Sequence, residues 1–160
     1  PHKNNDIAES NHRMAMVNLA TSLNPFFEVS SIELKRTGKS YTIDTIKEIK
    51  DIYPNDELYF IIGSDSLLDL TSWKDFESLI KKTNFLICGR PENTEESILN
   101  KIDELTKEYN SNIIYIKGPL IEISSTLIRD RIKNEKSIKY LVTEEVEKYI
   151  YKNNLYKGDG

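Results

Sequence analysis

Of the 160 residues only one is cysteine, so neither an intrachain disulfide nor a Cys-rich metal site can form. Cys88 reads as an ordinary core residue in a chain suited to a reducing compartment, and the expected location is the cytoplasm. Only two histidines occur, His2 and His12, with no Glu between them in a zinc-type helix motif, so no metal-ligand spacing is recognisable. His12 reads as a surface residue of a first helix. Glycine and proline are sparse, at six and five residues, and no repeat, low-complexity tract or linker interrupts the chain; residues 1–160 read as one domain. No run approaches the roughly 18 apolar residues of a membrane helix, and no signal peptide is visible. Basic residues are not in excess: 22 Lys+Arg against 26 Asp+Glu give a formal charge of -4. Nothing therefore advertises duplex nucleic acid or an anionic membrane, while a small anionic ligand stays open. Dinucleotide-binding glycine motifs, Walker loops, nucleophile elbows and Cys-x-x-Cys pairs are all absent.

What is present is an alternation of apolar runs and helical stripes. Residues 57–63, ending Tyr59-Phe60-Ile61-Ile62-Gly63, predict a strand buried on both faces of a parallel sheet, and 84–89 and 112–118 repeat the form. Phe26-Phe27-Glu28-Val29-Ser30 and Ile32-Glu33-Leu34 predict a further short strand nearer one end of the sheet. Between them, helical faces are drawn by Met14, Val17 and Ala20; by Ile43, Ile46 and Ile49; by Ile98, Ile102, Leu105 and Tyr109; and by Val146, Tyr149 and Ile150 after an acidic first turn. Strands alternating with helices imply βαβ crossovers and a Rossmann-like, doubly wound α/β sheet.

Ligands of such sheets bind beyond the carboxyl ends of the strands. Three segments carry unusual residues there. In Gly63-Ser64-Asp65, glycine permits close backbone approach and Asp65 can accept a hydrogen bond from a ribose hydroxyl; equally, Asp65 can cap the helix beginning Ser66-Leu67-Leu68. Ile123-Ser124-Ser125-Thr126-Leu127-Ile128-Arg129 sets three hydroxyls at a helix start with an arginine one turn on, which suits a phosphate; an ordinary cap with Arg129 in solvent is the plainer reading. Residues 36–45 form a polar turn in which Gly38 allows a tight bend and Thr42 can cap. Trp73, the only tryptophan, sits at another helix start, as core or as a platform for a planar ring.

In this order the segments resemble the bacterial nicotinate-nucleotide adenylyltransferases of the nucleotidyltransferase superfamily. The likeness runs through Pro1-His2-Lys3, residues 36–45, Gly63-Ser64-Asp65 with Trp73, Gly89-Arg90-Pro91, residues 123–129 and the closing 140–156. The resemblance implies a nucleotidyltransferase-type sheet and in-line attack of the nicotinate mononucleotide phosphate on the α-phosphorus of ATP, with Mg2+ spreading the charge. It implies that Ser125, Thr126 and Arg129 contact ATP phosphates, Arg129 being the catalytic group, and that Gly63 and Asp65 border the adenosine. Trp73 would stack near the nicotinate ring, Tyr41 and Thr42 would position its carboxylate, and His2, Lys3 and Arg90 would meet the mononucleotide phosphate. The metal is expected to arrive with ATP, without a dedicated protein site.

One departure stands out: the family's Gly-x-Phe-x-Pro-x-His-x-Gly-His signature, whose histidines orient the triphosphate, is not in the sequence. The expectation is a sheet lacking its first βα unit, which with the strand that follows it amounts to roughly thirty or more residues, and a 160-residue chain with little or no activity. A pantetheine-phosphate adenylyltransferase, an enzyme for the amidated mononucleotide, or a noncatalytic nucleotide-binding module remain alternatives. A homo-oligomer is left open.

Overall fold

Three apolar runs become three parallel strands, β1 (Tyr59–Gly63), β2 (Asn84–Cys88) and β3 (Ile113–Ile116), in the order β1-β2-β3. The structure is a computed structural model and describes residues 7–89, 94–118 and 121–157. The helices are α1 (Ser10–Thr21), α2 (Thr42–Ile52), α3 (Ser64–Leu68), α4 (Phe76–Lys82), α5 (Glu95–Tyr109), α6 (Ser125–Lys133) and α7 (Glu144–Lys152), with a 3-10 turn at Leu70–Ser72. The chain divides into two compact units, Ser40–Glu122 and the pairing of Pro1–Lys39 with Ile123–Gly160.

The first unit holds the sheet. Phe60 pairs with Phe85 and Ile62 with Ile87, while Phe85 pairs with Ile113 and Ile87 with Tyr115. Because side chains alternate along a strand, these residues share one sheet face. They form one core with Ile43 and Ile46 of α2, Leu67 and Leu70, Leu79 and Ile80 of α4, and Ile98 and Leu105 of α5. The expected helical stripes of α2 and α5 are therefore the ones that face the core. Helix α5 starts where the Thr94 hydroxyl accepts from the Ser97 amide (3.2 Å) and ends at Asn110, whose φ of 53° lies in the left-handed region that stops a helix.

The other face departs from expectation. Ile61 is 65% exposed, and Tyr59, Ile114 and Ile116 are exposed beside it, so β1 is buried on one face, not on both. Cys88, expected in the core, is exposed for the same reason: the register places it with Ile116 and Gly63 on this second face. An apolar run reports that a strand belongs in a sheet, but the helices packed on each face decide how much of it is buried.

The second unit is helical. Ile128 and Ile132 of α6, Ile138, and Val146 and Ile150 of α7 are buried together, with Met16 and Leu19 of α1 packed against them. Val17, expected on the inner face of α1, is about half exposed, and Ala20 is exposed. Apolar residues ring most of α1, so spacing alone does not select the face that docks. His12 corrects the surface assignment: its Nδ1 lies 2.9 Å from the Tyr149 hydroxyl, and the rings meet edge to face at 5.8 Å, tying α1 to α7. The predicted strand at 26–34 does not form. Phe26 is 92% exposed, and the segment makes turns, such as the Leu34 amide donating to the Ser31 carbonyl (2.9 Å). β-propensity without a neighbouring ladder leaves the backbone to bond locally.

Candidate active site

In the sheet unit, Gly63 ends β1 and its neighbour Ser64 opens α3, fully buried. Asp65 is exposed in the first turn of α3 and is not its cap; that position belongs to Gly63, which offers no side chain. The capping explanation for Asp65 therefore fails, since a cap must precede the first helical residue. The carboxylate stands at the carboxyl end of β1, where α/β sheets take ligands.

Helix α2 starts in the same unit. Gly38, with φ of 87°, makes the expected tight turn. Tyr41, not Thr42, occupies the cap position, and its side chain does not cap. Thr42 is the first helical residue, because the Tyr41 carbonyl already accepts from the amides of Asp44 (3.0 Å) and Thr45 (3.2 Å). The amides of Thr42 and Ile43 have no intrahelical acceptor and carry the positive end of the helix dipole.

Trp73 follows the 3-10 turn, its amide donating to the Leu70 carbonyl (3.1 Å), three residues ahead of α4. Its ring meets Phe60 edge to face at 6.3 Å and is half-buried against the core. One edge of the indole is core, and part of it remains open. Lys74, which no motif singles out, puts its Nζ 3.0 Å from Asp44 Oδ2 and 4.2 Å from the centre of the Tyr41 ring. Only folding brings a residue thirty positions away to the start of α2.

In the helical unit, the hydroxyls at α6 divide their work. Ser124 is the cap, its Oγ accepting from the Leu127 amide (3.1 Å) while its carbonyl accepts from Ile128 (3.1 Å). Ser125 and Thr126 are exposed in the first turn and do not cap. Arg129 leans back along the helix, its Nη2 donating to Thr126 Oγ1 at 3.1 Å. The plain alternative, a cap with Arg129 extended into solvent, accounts for Ser124 alone. Burial pushes the Tyr156 phenol up, while the Arg129 and Arg13 guanidiniums act against that shift.

His2, Lys3 and Arg90, together with Pro1 and Pro91, lie outside the described residues. Among the described residues no group of three or more His, Cys, Asp or Glu could hold a metal ion, and no helix is long and apolar enough to cross a membrane.

Each unit thus offers a helix start whose chemistry suits an anion, and the sheet unit adds a carboxylate at a strand end and an aromatic surface. Comparison with known proteins gives these features a context. Residues 1–131 match the family model described as Cytidylyltransferase-like. A protein of Thermoanaerobacter sp. (strain X514) described as "Probable nicotinate-nucleotide adenylyltransferase" is 45% identical over 161 residues, covering 99% of this chain and 76% of its own. One from Carboxydothermus hydrogenoformans with the same description is 43% identical, covering 98% and 78%. Among solved structures, Plasmodium falciparum nicotinic acid mononucleotide adenylyltransferase complexed with APC superposes with a TM-score of 0.70 at 26% identity, covering 94% of this chain and 77% of that one. Its complex with NaAD gives 0.67 at 27% identity, covering 96% and 78%. With its parallel sheet, its hydroxyl-rich helix start and these relatives, the chain belongs to the cytidylyltransferase-like nucleotidyltransferases, in the nicotinate-nucleotide adenylyltransferase family.

Proposed function

We propose that the protein transfers the adenylyl group of ATP to nicotinate mononucleotide, giving deamido-NAD and pyrophosphate, a step of NAD synthesis. A phosphate oxygen of the mononucleotide attacks the α-phosphorus; the bond from that phosphorus to the bridging oxygen breaks, and pyrophosphate departs with its electron pair. No covalent intermediate on the protein is needed. Such a transfer depends on holding two polyanions in line and stabilising the charge on the leaving group.

The observation that carries this reading is the division at α6. One serine suffices to cap the helix, and the amides of Ser125 and Thr126, their hydroxyls and the Arg129 guanidinium are additional to it. In a member of this family those donors suit the ATP phosphates, with Arg129 the catalytic group that neutralises the departing pyrophosphate. Gly63 and Asp65 border the adenosine. Tyr41 and Thr42 hold the pyridine carboxylate at the start of α2, and Trp73 offers its open face to the ring. His2, Lys3 and Arg90 complete the set at the mononucleotide phosphate.

Mg2+ fits this scheme as a companion of ATP. With no acidic cluster among the described residues, the triphosphate oxygens and water are its natural ligands, and bound there it offsets charge on the phosphates. A cytoplasmic location and small-molecule partners, not nucleic acid or membrane, belong to the same proposal.

The test is formation of deamido-NAD and pyrophosphate from Mg-ATP and nicotinate mononucleotide. We expect little or no turnover from the 160-residue chain, which lacks the His-x-Gly-His signature, and robust turnover from a form that carries it. Robust turnover without the signature would reject the role given to its histidines. No turnover with it would reject the activity.

A further inference from the structure

We propose that Lys74 is a specificity-determining residue, biasing the pyridine site toward an acid and against the corresponding amide. This deepens the reading above and rests on the placement of the ring at Tyr41, Thr42 and Trp73. The two substrates have nearly the same shape; the acid carries one negative charge and an acceptor oxygen where the amide carries a donor NH2, so beyond the helix-start amides a group that senses charge adds to the separation. Asp44 senses it with the wrong sign. It sits in the first turn of α2, and its carboxylate repels a second one brought to the same helix start.

Lys74 reverses the balance. Its Nζ is 3.0 Å from Asp44 Oδ2 and 4.2 Å from the Tyr41 ring centre, so the ammonium lies over the same turn as the carboxylate it offsets. The two side chains are 48% and 37% exposed, and neither charge is fully screened by its partner or locked away from an arriving anion. The neighbouring Lys47 is engaged elsewhere, with Asp75 at 3.5 Å. With Lys74 in place, the start of α2 meets a carboxylate through its amides and a neutralised acid; without it, Asp44 stands alone.

Trp73, as the only tryptophan, reports binding directly through its emission. Nicotinate mononucleotide and nicotinamide mononucleotide are titrated into the wild type and into Lys74→Met, Lys74→Arg, Asp44→Asn and the double variant Lys74→Met with Asp44→Asn. We expect Lys74→Met to weaken the acid by about threefold to tenfold, the range for a half-exposed charge, with the amide changed less than about twofold on the same grounds. Lys74→Arg should retain the preference, and the double variant should regain most of the lost affinity for the acid. Equal weakening of both ligands by Lys74→Met and by Asp44→Asn would overturn the proposal, because the pair would then only brace the turn before α4. If neither mononucleotide perturbs wild-type Trp73 emission, the placement of the ring fails first and the role of Lys74 falls with it.

Discussion

The two helix starts treat the same physical problem differently. Each leaves two amides without an intrahelical acceptor, but α6 is closed by a serine side chain from the residue just before it, whereas the side chain of Tyr41, in the cap position of α2, makes no such bond. Around α6 the polar groups come from six consecutive residues, 124–129, and include a fixed guanidinium. Around α2 the cation comes from a distant part of the chain, Lys74, through a contact thirty residues long; Trp73, its neighbour in sequence, packs on Phe60. The first arrangement suits a dense, multiply charged group that needs donors on several sides. The second suits a flat ring with a single charge, held by one aromatic surface and a finely balanced ion pair.

The sharpest way to break this contrast is to remove the guanidinium. In a form of the protein with measurable turnover, Arg129→Ala should lower kcat/KM by about a hundredfold or more, the usual cost of losing a donor to charge that develops in the transition state. Its melting temperature should hardly move, since Arg129 leaves no core cavity. Unchanged kinetics would make α6 an ordinary capped helix. The matching experiment at the other start is Trp73→Ala, which should raise KM for the mononucleotide by about tenfold and leave KM for ATP within about twofold, if the indole binds the ring and not the nucleotide. Equal effects on both substrates would mean that the edge-to-face contact with Phe60 is the whole role of Trp73.

That difference also explains what could be read from the residues alone. The α6 constellation was legible because a capping serine, two further hydroxyls and an arginine one turn on are neighbours in sequence. The three parallel strands were legible as unbroken apolar runs, and the inner faces of α2, α5 and α7 because one period of apolar residues dominates each. Features set by long-range neighbours were not. Lys74 becomes interesting only once Asp44 is beside it, and His12 only once Tyr149 is. Cys88 and Ile61 look like core until the register assigns them to the exposed sheet face. The 26–34 segment has strand composition, but a strand is a pairing, and no described strand pairs with it. The choice between Asp65 or Thr42 as cap and as ligand turned on a shift of one or two residues in helix boundary, which propensity does not resolve.

The finest cut through the comparison lies between two adjacent serines. Ser124 accepts from the Leu127 amide, so Ser124→Ala should strip the cap from α6 and cost about 1 kcal/mol, or about 2–4 °C in melting temperature for a chain of this size. The exposed Ser125 hydroxyl makes no hydrogen bond among the described residues and contributes nothing to the cap. Ser125→Ala should therefore leave stability within about 0.5 kcal/mol of wild type, yet weaken ATP in binding or kinetics, because the donor removed is one that the folded chain does not itself use. Measuring both variants by thermal unfolding and by ATP titration separates the two duties. If Ser125→Ala costs stability and spares ATP, the additional hydroxyl is structural after all, and the phosphate reading of α6 must then rest on Thr126 and Arg129 alone.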